Sequence, residues 1–568
     1  MGKCSKIRAG IPVFGEVSAL AGGLTSTLSA PQRSQTQTRP SIPMTDHSST
    51  ATIDLPLTGE LDKVGSSHDF QNLGYAASVL GLSQSSVTNN GSRSPLIHIL
   101  DNDSLLKIFF FSRPALVDGK SEVDAAQILR GGEWKQERWW YRIIQVCRRW
   151  RYLVLESAFH LRLSLVCARG TPVADMLAHS PSVPLTIDYY DNYQDLTAED
   201  EEGIILALQH RDRVRRIRLL RPIPILQKLV NALGGEFPSL EFLLIMHQRD
   251  QRPRSEHNAH LTFPETFRAP HLRQLVLMNF DISIKSPLLT TMGNITTLSL
   301  NAIPASAYVH PSALLQRLSL MLQLETLGIN FDTCYPCSDV EQQLLRSPIT
   351  TRVTLPNLRW LGFQGTSAYL EALLRWITIP LLERIQLYFF NRLIYSVPHL
   401  QQFMSTAAHL RFEAATFTFR EDYLNVKAYP HKGAKMYTLD MELGGRLLDW
   451  QVLSAVQVLC ALRKVFSTVE HLALEYDRRG ITSKWNDEAD RTFWRELLMS
   501  FGNVKTLFMG YGLVEQLSCA LQPGEGESPT ELLPDLQALS SSGISVLPNA
   551  FTLFMDARQK AGRPVTIV

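Results

Sequence analysis

The sequence predicts an α/β chain: a disordered leader, a small all-helical unit, and an irregular solenoid in which short parallel strands alternate with helices. Three observations carry this expectation. An apolar triplet at positions i, i+3 and i+5 recurs along most of the chain, helical periodicity fills the gaps between its copies, and the N-terminal tract has no sustained period at all. The expected division is a leader over 1–93, a helical unit over 94–165 with an insert at about 114–140, and a solenoid over 166–568.

The leader is rich in Ser, Thr, Gly and Gln, and the tract from Ser26 to Thr52 has too few apolar residues to offset the entropy of ordering. Lys3, Lys6 and Arg8 precede a mildly apolar stretch that Glu16 interrupts, so no secretory signal is predicted. Lys6 likewise stands where a myristoylation motif needs Ser or Thr after Gly2. Order is expected to begin near Pro95. There Leu96, Ile99 and Leu100 lead into Leu105, Leu106, Ile108 and Phe109, spaced mostly by three and four, with Asp103 or Ser104 as the helix cap. A second helix is predicted from Trp139 to Ala158, with Ile143, Val146, Cys147, Trp150, Leu153 and Val154 on its apolar face and Arg142, Arg148, Arg149 and Arg151 mostly on its polar one. The opening aromatics Trp139, Trp140 and Tyr141 are read as core.

From about Val183 the triplets take over: Val214, Ile217, Leu219; Leu240, Leu243, Ile245; Leu272, Leu275, Leu277; Ile295, Leu298, Leu300; Leu324, Leu327, Ile329; Leu358, Leu361, Phe363; and Leu382, Ile385, Leu387. They resume at Val469, Leu472, Leu474 and Val504, Leu507, Met509, and more weakly at Leu536, Leu539. The last two positions of each triplet are two apart and so share one face of a strand, while the first enters from the preceding turn. Clear neighbours start 23 to 35 residues apart, and the 87-residue gap after Leu382 has room for two weaker copies, Ala414, Phe417, Phe419 and Met436, Leu439, Met441. Helical stretches lie between copies, for example Leu226, Leu229, Val230, Leu233; Leu370, Leu373, Leu374, Ile377; and Phe493, Leu497, Leu498, Phe501. One strand and one helix cannot bury their apolar sides alone, so neighbours must stack, as in degenerate leucine-rich repeats.

Composition narrows function. Apolar residues make up 45% and charged residues 19%, and the formal net charge of +2 gives no strong field toward nucleic acid or an anionic membrane. No run of about 18 apolar residues predicts a membrane span. Seven irregularly spaced cysteines read as reduced thiols and an intracellular setting, cytoplasm or nucleus. No catalytic machinery is visible. Gly119, Lys120 and Ser121 end like a phosphate loop, but Pro114 stands where its first glycine belongs. Cys334 and Cys337 have metal-ligand spacing without a second pair. No serine elbow or zinc-protease helix motif is present. His271 and His471 stand beside repeat leucines and are read as structural. The run Arg211, Arg213, Arg215, Arg216, Arg218, Arg221 is read chiefly as a solvated strand face. No cofactor, no metal and no enzymatic role are expected.

The segment from Leu100 to Ala158 resembles the F-box. The resemblance rests on Leu100, Leu105, Leu106, Ile108 and Phe109, and on the closing run Gln145, Val146, Cys147, Arg148, Arg149, Trp150, Arg151, Tyr152, Leu153; Asp101 replaces the usual opening proline, and an insert separates the halves. With Val166, Cys167, Thr171, Pro172 and Val173, the leucine-rich stretch and the closing segment from Phe551 to Val568, the chain is similar to the large set of F-box proteins of mushroom-forming fungi. The resemblance implies a receptor that docks on a Skp-type adaptor and cullin complex while its repeats select an unknown protein target for ubiquitin transfer. Leu100, Leu105, Ile108, Phe109, Val146, Cys147 and Trp150 are the expected adaptor-binding residues. The alternative is a leucine-rich-repeat scaffold with a decayed F-box and no ligase role.

Overall fold

The computed structural model describes residues 100–112, 139–158, 160–180, 182–190, 196–247, 261–304, 307–332, 352–390, 397–407, 410–445, 447–477, 491–524, 528, 530–542 and 551–568. The expected leader, nearly all of the insert and the Cys334, Cys337 pair lie outside them.

Twenty strands are described: β1 Leu165–Ala168, β2 Leu185–Tyr189, β3 Val214–Arg221, β4 Phe242–His247, β5 Leu261–Thr262, β6 Gln274–Met278, β7 Phe280–Asp281, β8 Thr297–Ile303, β9 Thr326–Phe331, β10 Val353–Thr354, β11 Trp360–Gly365, β12 Ile377–Thr378, β13 Arg384–Phe389, β14 Ala414–Phe419, β15 Tyr423–Tyr429, β16 Leu439–Gly444, β17 His471–Tyr476, β18 Thr506–Met509, β19 Ala538–Ser541 and β20 Thr566–Ile567. Sixteen of them form one sheet in the order β1-β2-β3-β4-β6-β8-β9-β11-β13-β16-β15-β14-β17-β18-β19-β20, and two short parallel pairs, β5 with β7 and β10 with β12, stand apart.

Each expected triplet supplies a strand of this sheet. Except in the triplet Ala414, Phe417, Phe419, where Phe417 falls in the neighbouring ladder opposite Val426 and Leu474, the middle residue joins a cross-strand ladder that runs Ile217, Leu243, Leu275, Leu298, Leu327, Leu361, Ile385 and Leu439 in unbroken register. The ladder crosses Ala428 and Ala415 and continues through Leu472, Leu507 and Leu539 to Ile567. The third residues form a parallel ladder beside it, from Leu219 through Ile245 and Leu277 to Met509. Each inward leucine is fully or nearly fully buried, which contributes roughly 1.5–3 kcal/mol of transfer free energy per side chain. A leucine here is stabilised only because the next repeat covers it, so the repeats depend on one another.

One expectation needs correcting: the sheet is not parallel throughout. β15 runs antiparallel between β14 and β16, and this meander is laid down in reverse, so that β16 pairs with β13 and β14 with β17. Only Arg420 to Asp422 connect β14 to β15, far short of the dozen or so residues a parallel crossover needs. Within β15, Leu424, Val426 and Ala428 alternate inward while Asn425 and Lys427 point outward.

The helices are α1 Asn102–Ser112, α2 Trp139–Ile144, α3 Arg148–Glu156, α4 Val173–His179, α5 Ala198–Gln209, α6 Ile223–Ala232, α7 Pro287–Thr291, α8 Pro311–Leu318, α9 Ser367–Leu374, α10 Pro398–Thr406, α11 Leu448–Phe466, α12 Arg491–Met499, α13 Val514–Leu521 and α14 Thr552–Lys560. Four of them, α6, α7, α8 and α10, carry proline in the first turn, where its missing N–H costs no bond. Glu371 of α9 caps the next helix, its carboxylate accepting from the N–H groups of His399 (2.7 Å) and Leu400 (2.9 Å). Ile377, expected on a helix, starts β12 instead.

Leu226, Leu229, Val230, Leu370, Leu373, Leu497 and Leu498 pack with the inward strand residues in one continuous core. That core also takes in Leu105, Phe109, Trp140 and Trp150 of α1–α3. The outward strand positions belong to a second face, where Phe242, Leu244 and Val276 form a small cluster of their own with Tyr190 and Met246.

Candidate functional site

Two surfaces qualify: the helical segment α1–α3 and the outward face of the sheet. In the first, the predicted helix from Trp139 to Ala158 is two helices. The break falls at Gln145–Cys147, because Cys147 is extended (φ −159°) and its Sγ accepts the Trp150 N–H at 3.5 Å as the cap of α3. The cap of α1 is also corrected, to Asp101. Its carboxylate accepts from the Ser104 N–H at 2.7 Å and hydroxyl at 3.1 Å, bonds that hold its pKa below the ordinary value. Asp101 thus starts α1 through its own side chain.

Arg149 ties the two halves of the motif together. Its Nη2 donates to the Leu100 carbonyl (2.6 Å) and to Asn102 Oδ1 (2.9 Å), and Phe109 meets Trp150 edge to face at 4.8 Å between centroids. The Trp140 indole N–H reaches the Ser164 carbonyl at 3.2 Å, joining α2 to the residue before β1. Of the seven expected adaptor-binding residues, Leu105, Phe109 and Trp150 are buried within the chain's own core, while Leu100, Ile108 and Cys147 are half-buried. Val146 alone of the seven is exposed, at 59%. The same helices expose Phe111 (74%), Phe110 and Tyr152, which the helical pattern did not single out.

The arginine run is not a solvated face. Arg218 is buried against Asp188 at 3.3 Å and under the Tyr190 ring, and Arg221 is buried too. Arg213 donates to the Val183 carbonyl, Arg215 pairs with Glu241, Arg216 lies over Phe242 and Arg211 over Phe237. These cations hold neighbouring repeats together. His471 is structural as expected, with Nδ1 2.7 Å from the Thr506 hydroxyl.

Further along the outward face, the registers line up one cross-strand row from Tyr388 through Glu442, Asn425 and Thr418 to Glu475. Beside it runs Gln386, Asp440, Lys427 and Thr416. Asn425 donates to Asp440 (2.8 Å), and the Thr418 hydroxyl donates to Glu475 (3.3 Å). Arg420 is turned toward Asp477 (3.5 Å) and bonds the Tyr423 hydroxyl, while Lys427 lies over the Tyr437 ring. The meander, the end of β17 and the turn into α13 enclose an open groove of about 1340 Å³, rimmed by Tyr429, Tyr476, Phe508, Tyr511 and Glu515. The turn sits tightly on β17: a Cβ on Gly512 would lie 2.6 Å from the Tyr476 ring.

Burial, reinforced by the like charges of Asp440 and Asp422, pushes the Glu442 carboxyl up from 4.5 to about 7 against the weaker pull of Arg420 and Lys427. Between those two pH values the folded chain holds a proton that the unfolded chain has lost, so stability falls as pH rises through the window and levels above it. Glu442→Gln cannot ionise. The variant should match the wild type near the bottom of the window and exceed it above the top by on the order of 1 kcal/mol, after discounting for partial exposure. Urea unfolding at pH 4.5 and pH 8 checks this; equal differences at both pH values would refute the assignment.

Among the described residues, no group of three His, Cys, Asp or Glu side chains is placed to hold a metal ion, and no helix is long and apolar enough to cross a membrane.

No protein-family model matches the chain. No curated protein matches it either. Among solved structures it is similar to a chain in the crystal structure of a TLR13–ssRNA13 complex, at 12% identity and a TM-score of 0.26, over 71% of this chain and 48% of that one. The chain thus spans about half the length of its match, and the likeness is too distant to say what this chain binds.

Proposed function

We propose that this chain is a non-catalytic interaction protein, a substrate receptor whose helical segment docks on a Skp-type adaptor in a cullin-based ubiquitin ligase while its leucine-rich-repeat-like sheet holds a target protein. The observation that carries the reading is the division of labour in α1–α3. Leu105, Phe109, Trp140 and Trp150 are committed to the chain's own core, yet Phe111 on α1 and Val146 in the break between α2 and α3 remain exposed. Large apolar side chains held on a fixed support suit a partner helix. The fixed support also sets the distance between adaptor and target, which is what proximity-driven transfer by a separate enzyme requires. The buried members of the motif, by this reading, shape the docking surface rather than touch the adaptor. The setting is intracellular, with protein partners, no nucleic acid and no membrane.

Co-purification with a Skp-type adaptor and a cullin tests this, with the wild type beside Phe111→Asp/Val146→Asp. Both substitutions sit at exposed positions, so the fold is expected to survive, as circular dichroism would verify. Adaptor and cullin should follow the wild type and be lost from the variant. A folded wild type that retains neither would favour the second reading, a repeat scaffold without a ligase role; the replacement of the opening proline by Asp101 is the observation on its side.

A further inference from the structure

Midway along the sheet, one row of the outward face is nearly bare. It runs Ser299, Gly328, Gly362, Gln386 across β8, β9, β11 and β13. Glycine inside a strand weakens it and marks a place where another group comes close to the backbone. Here that group is the Trp360 indole: a Cβ on Gly362 would overlap its six-membered ring, and one on Gly328 would lie 3.4 Å from it. The indole N–H is buried without an acceptor among the described residues, so the half-buried side chain shows ring carbon to the outside. Along the other side of the row stands a ledge of amides. Gln364 is opposite Asn330 in register, Asn330 donates to Asn301 Oδ1 (2.6 Å), and Asn301 donates to Ser299 Oγ (3.0 Å). Of the outward positions on β6, β8, β9, β11 and β13, only Arg384 is charged, and it is buried with its guanidinium 4.0 Å from the Tyr437 ring centroid.

We propose that this trough binds an uncharged, proline-containing segment of a partner protein in the polyproline II conformation, with one proline ring on Trp360 and backbone carbonyls accepting from Asn301 and Gln364. This deepens the receptor reading above and rests on it, since the segment would belong to the target. The spacing selects the conformation. Asn301 and Gln364 lie two strands apart, about 9.6 Å at roughly 4.8 Å per strand. A polyproline II helix repeats every three residues, about 9.3 Å at roughly 3.1 Å each, so carbonyls three residues apart reach both amides. A β-extended segment repeats every two residues, about 6.6 Å, and does not match. The chemistry selects the composition. Polyproline II has no internal hydrogen bonds, so its carbonyls need donors, which amide groups supply. A charged side chain would lose water in the trough without finding a partner there, whereas proline arrives with its φ already fixed. A saccharide also fits a flat ring, but its hydroxyls donate as well as accept, and the ledge oxygens Asn301 Oδ1 and Ser299 Oγ already receive Asn330 and Asn301.

The test is selection of a displayed random dodecapeptide library on the full chain, with counter-selection on Asn301→Ala/Gln364→Ala, followed by anisotropy titration of the most enriched peptide. Trp360→Ala is titrated beside the double variant; it uncovers two glycines, so circular dichroism decides whether it is folded, and the double variant carries the test if it is not. The expected result is enrichment of uncharged peptides with prolines three residues apart, binding at least tenfold weaker to each folded variant, and an affinity that added salt leaves unchanged. Absence of any enrichment over the double variant, enrichment of charged peptides without proline, or binding that a folded variant leaves untouched overturns the proposal. Saturable binding of cellohexaose that the variants lose, with no peptide enriched, overturns it in favour of a saccharide. Adaptor retention is scored on the same preparations. An adaptor that fails to bind while proline peptides are selected removes the receptor reading and leaves the trough, and the reverse removes the trough alone.

Discussion

Trp140→Ala is expected to cost about 4 kcal/mol, the upper range for truncating a large buried aromatic. Trp140 is buried, stacks on Tyr141 at 4.3 Å between centroids and donates its indole N–H to Ser164 just before β1. Its loss opens a cavity and leaves a carbonyl without its donor, at a hydrogen bond that links α2 directly to the entry of the sheet. Repeat stacks are held by nearest-neighbour contacts, so the damage should be local. Hydrogen exchange should show 100–112 and 139–170 losing protection while β17 and β18 keep theirs. Trp140→Phe, which retains most of the apolar area, should lose only about 1 kcal/mol, the worth of the hydrogen bond. Uniform loss of protection along the chain, or none, would contradict the placement of this residue as the joint between helices and repeats.

Arg558→Met is expected to cost about 3 kcal/mol and to fray the C-terminal end of the sheet. Arg558 of α14 is fully buried, and its guanidinium donates to the carbonyls of Leu533 (3.3 Å), Pro534 (3.2 Å), Leu536 (3.0 Å) and Arg563 (3.3 Å). Those carbonyls belong to the turn before β19, where Leu533 has a positive φ of 49°, and to the turn before β20. Methionine keeps the apolar stem but supplies no donor, so the turns lose what fixes them. β20 is a two-residue edge strand, and an unprotected edge invites pairing with other chains. Fast exchange confined to 530–542 and 551–568, with concentration-dependent association, is the expected readout. Protection equal to that of the wild type would show that the turns stand without the arginine.

The two predictions bear on opposite ends of a fold that was largely legible. The triplets could be read because a half-buried strand repeats its inward positions two residues apart, and because leucine has nothing else to do at those positions than meet the next repeat. β15 escaped notice because it lacks the leading apolar residue three positions upstream, although Leu424, Val426 and Ala428 alternate as a strand should. β1 and β2 escaped because their burial is nearly continuous, LVCA and LTIDY, which hides the period of two. The break before α3 was hidden by apolar residues whose spacing runs straight through Cys147, and cysteine is not a residue that announces a cap. The Asp101 cap, by contrast, was available in the sequence, as an aspartate three residues before Ser104.

The sites were less legible than the fold. The residues at 145–153 lie in a segment that the structure packs into the core, but periodicity does not say which side of a helix the protein keeps for itself. Three of the seven residues singled out face inward, and exposed Phe111 was passed over. The arginine run misled because charge on a strand is read as solvent-facing by default, whereas here aromatic rings and Asp188 of adjacent strands take up the charges. The groove had no local signature at all. Its lining comes from β14, β15, β17, β18 and the start of α13, and only the reversed order of the meander brings β14 beside β17.

Calorimetric titration of a purified Skp-type adaptor into the full chain measures directly whether α1–α3 present a docking surface. The predicted result is saturable binding of one adaptor per chain, weakened at least tenfold by Phe111→Asp/Val146→Asp and unchanged by Glu442→Gln. A folded wild-type chain that gives no saturable heat, or binding that Phe111→Asp/Val146→Asp leaves untouched, would contradict it.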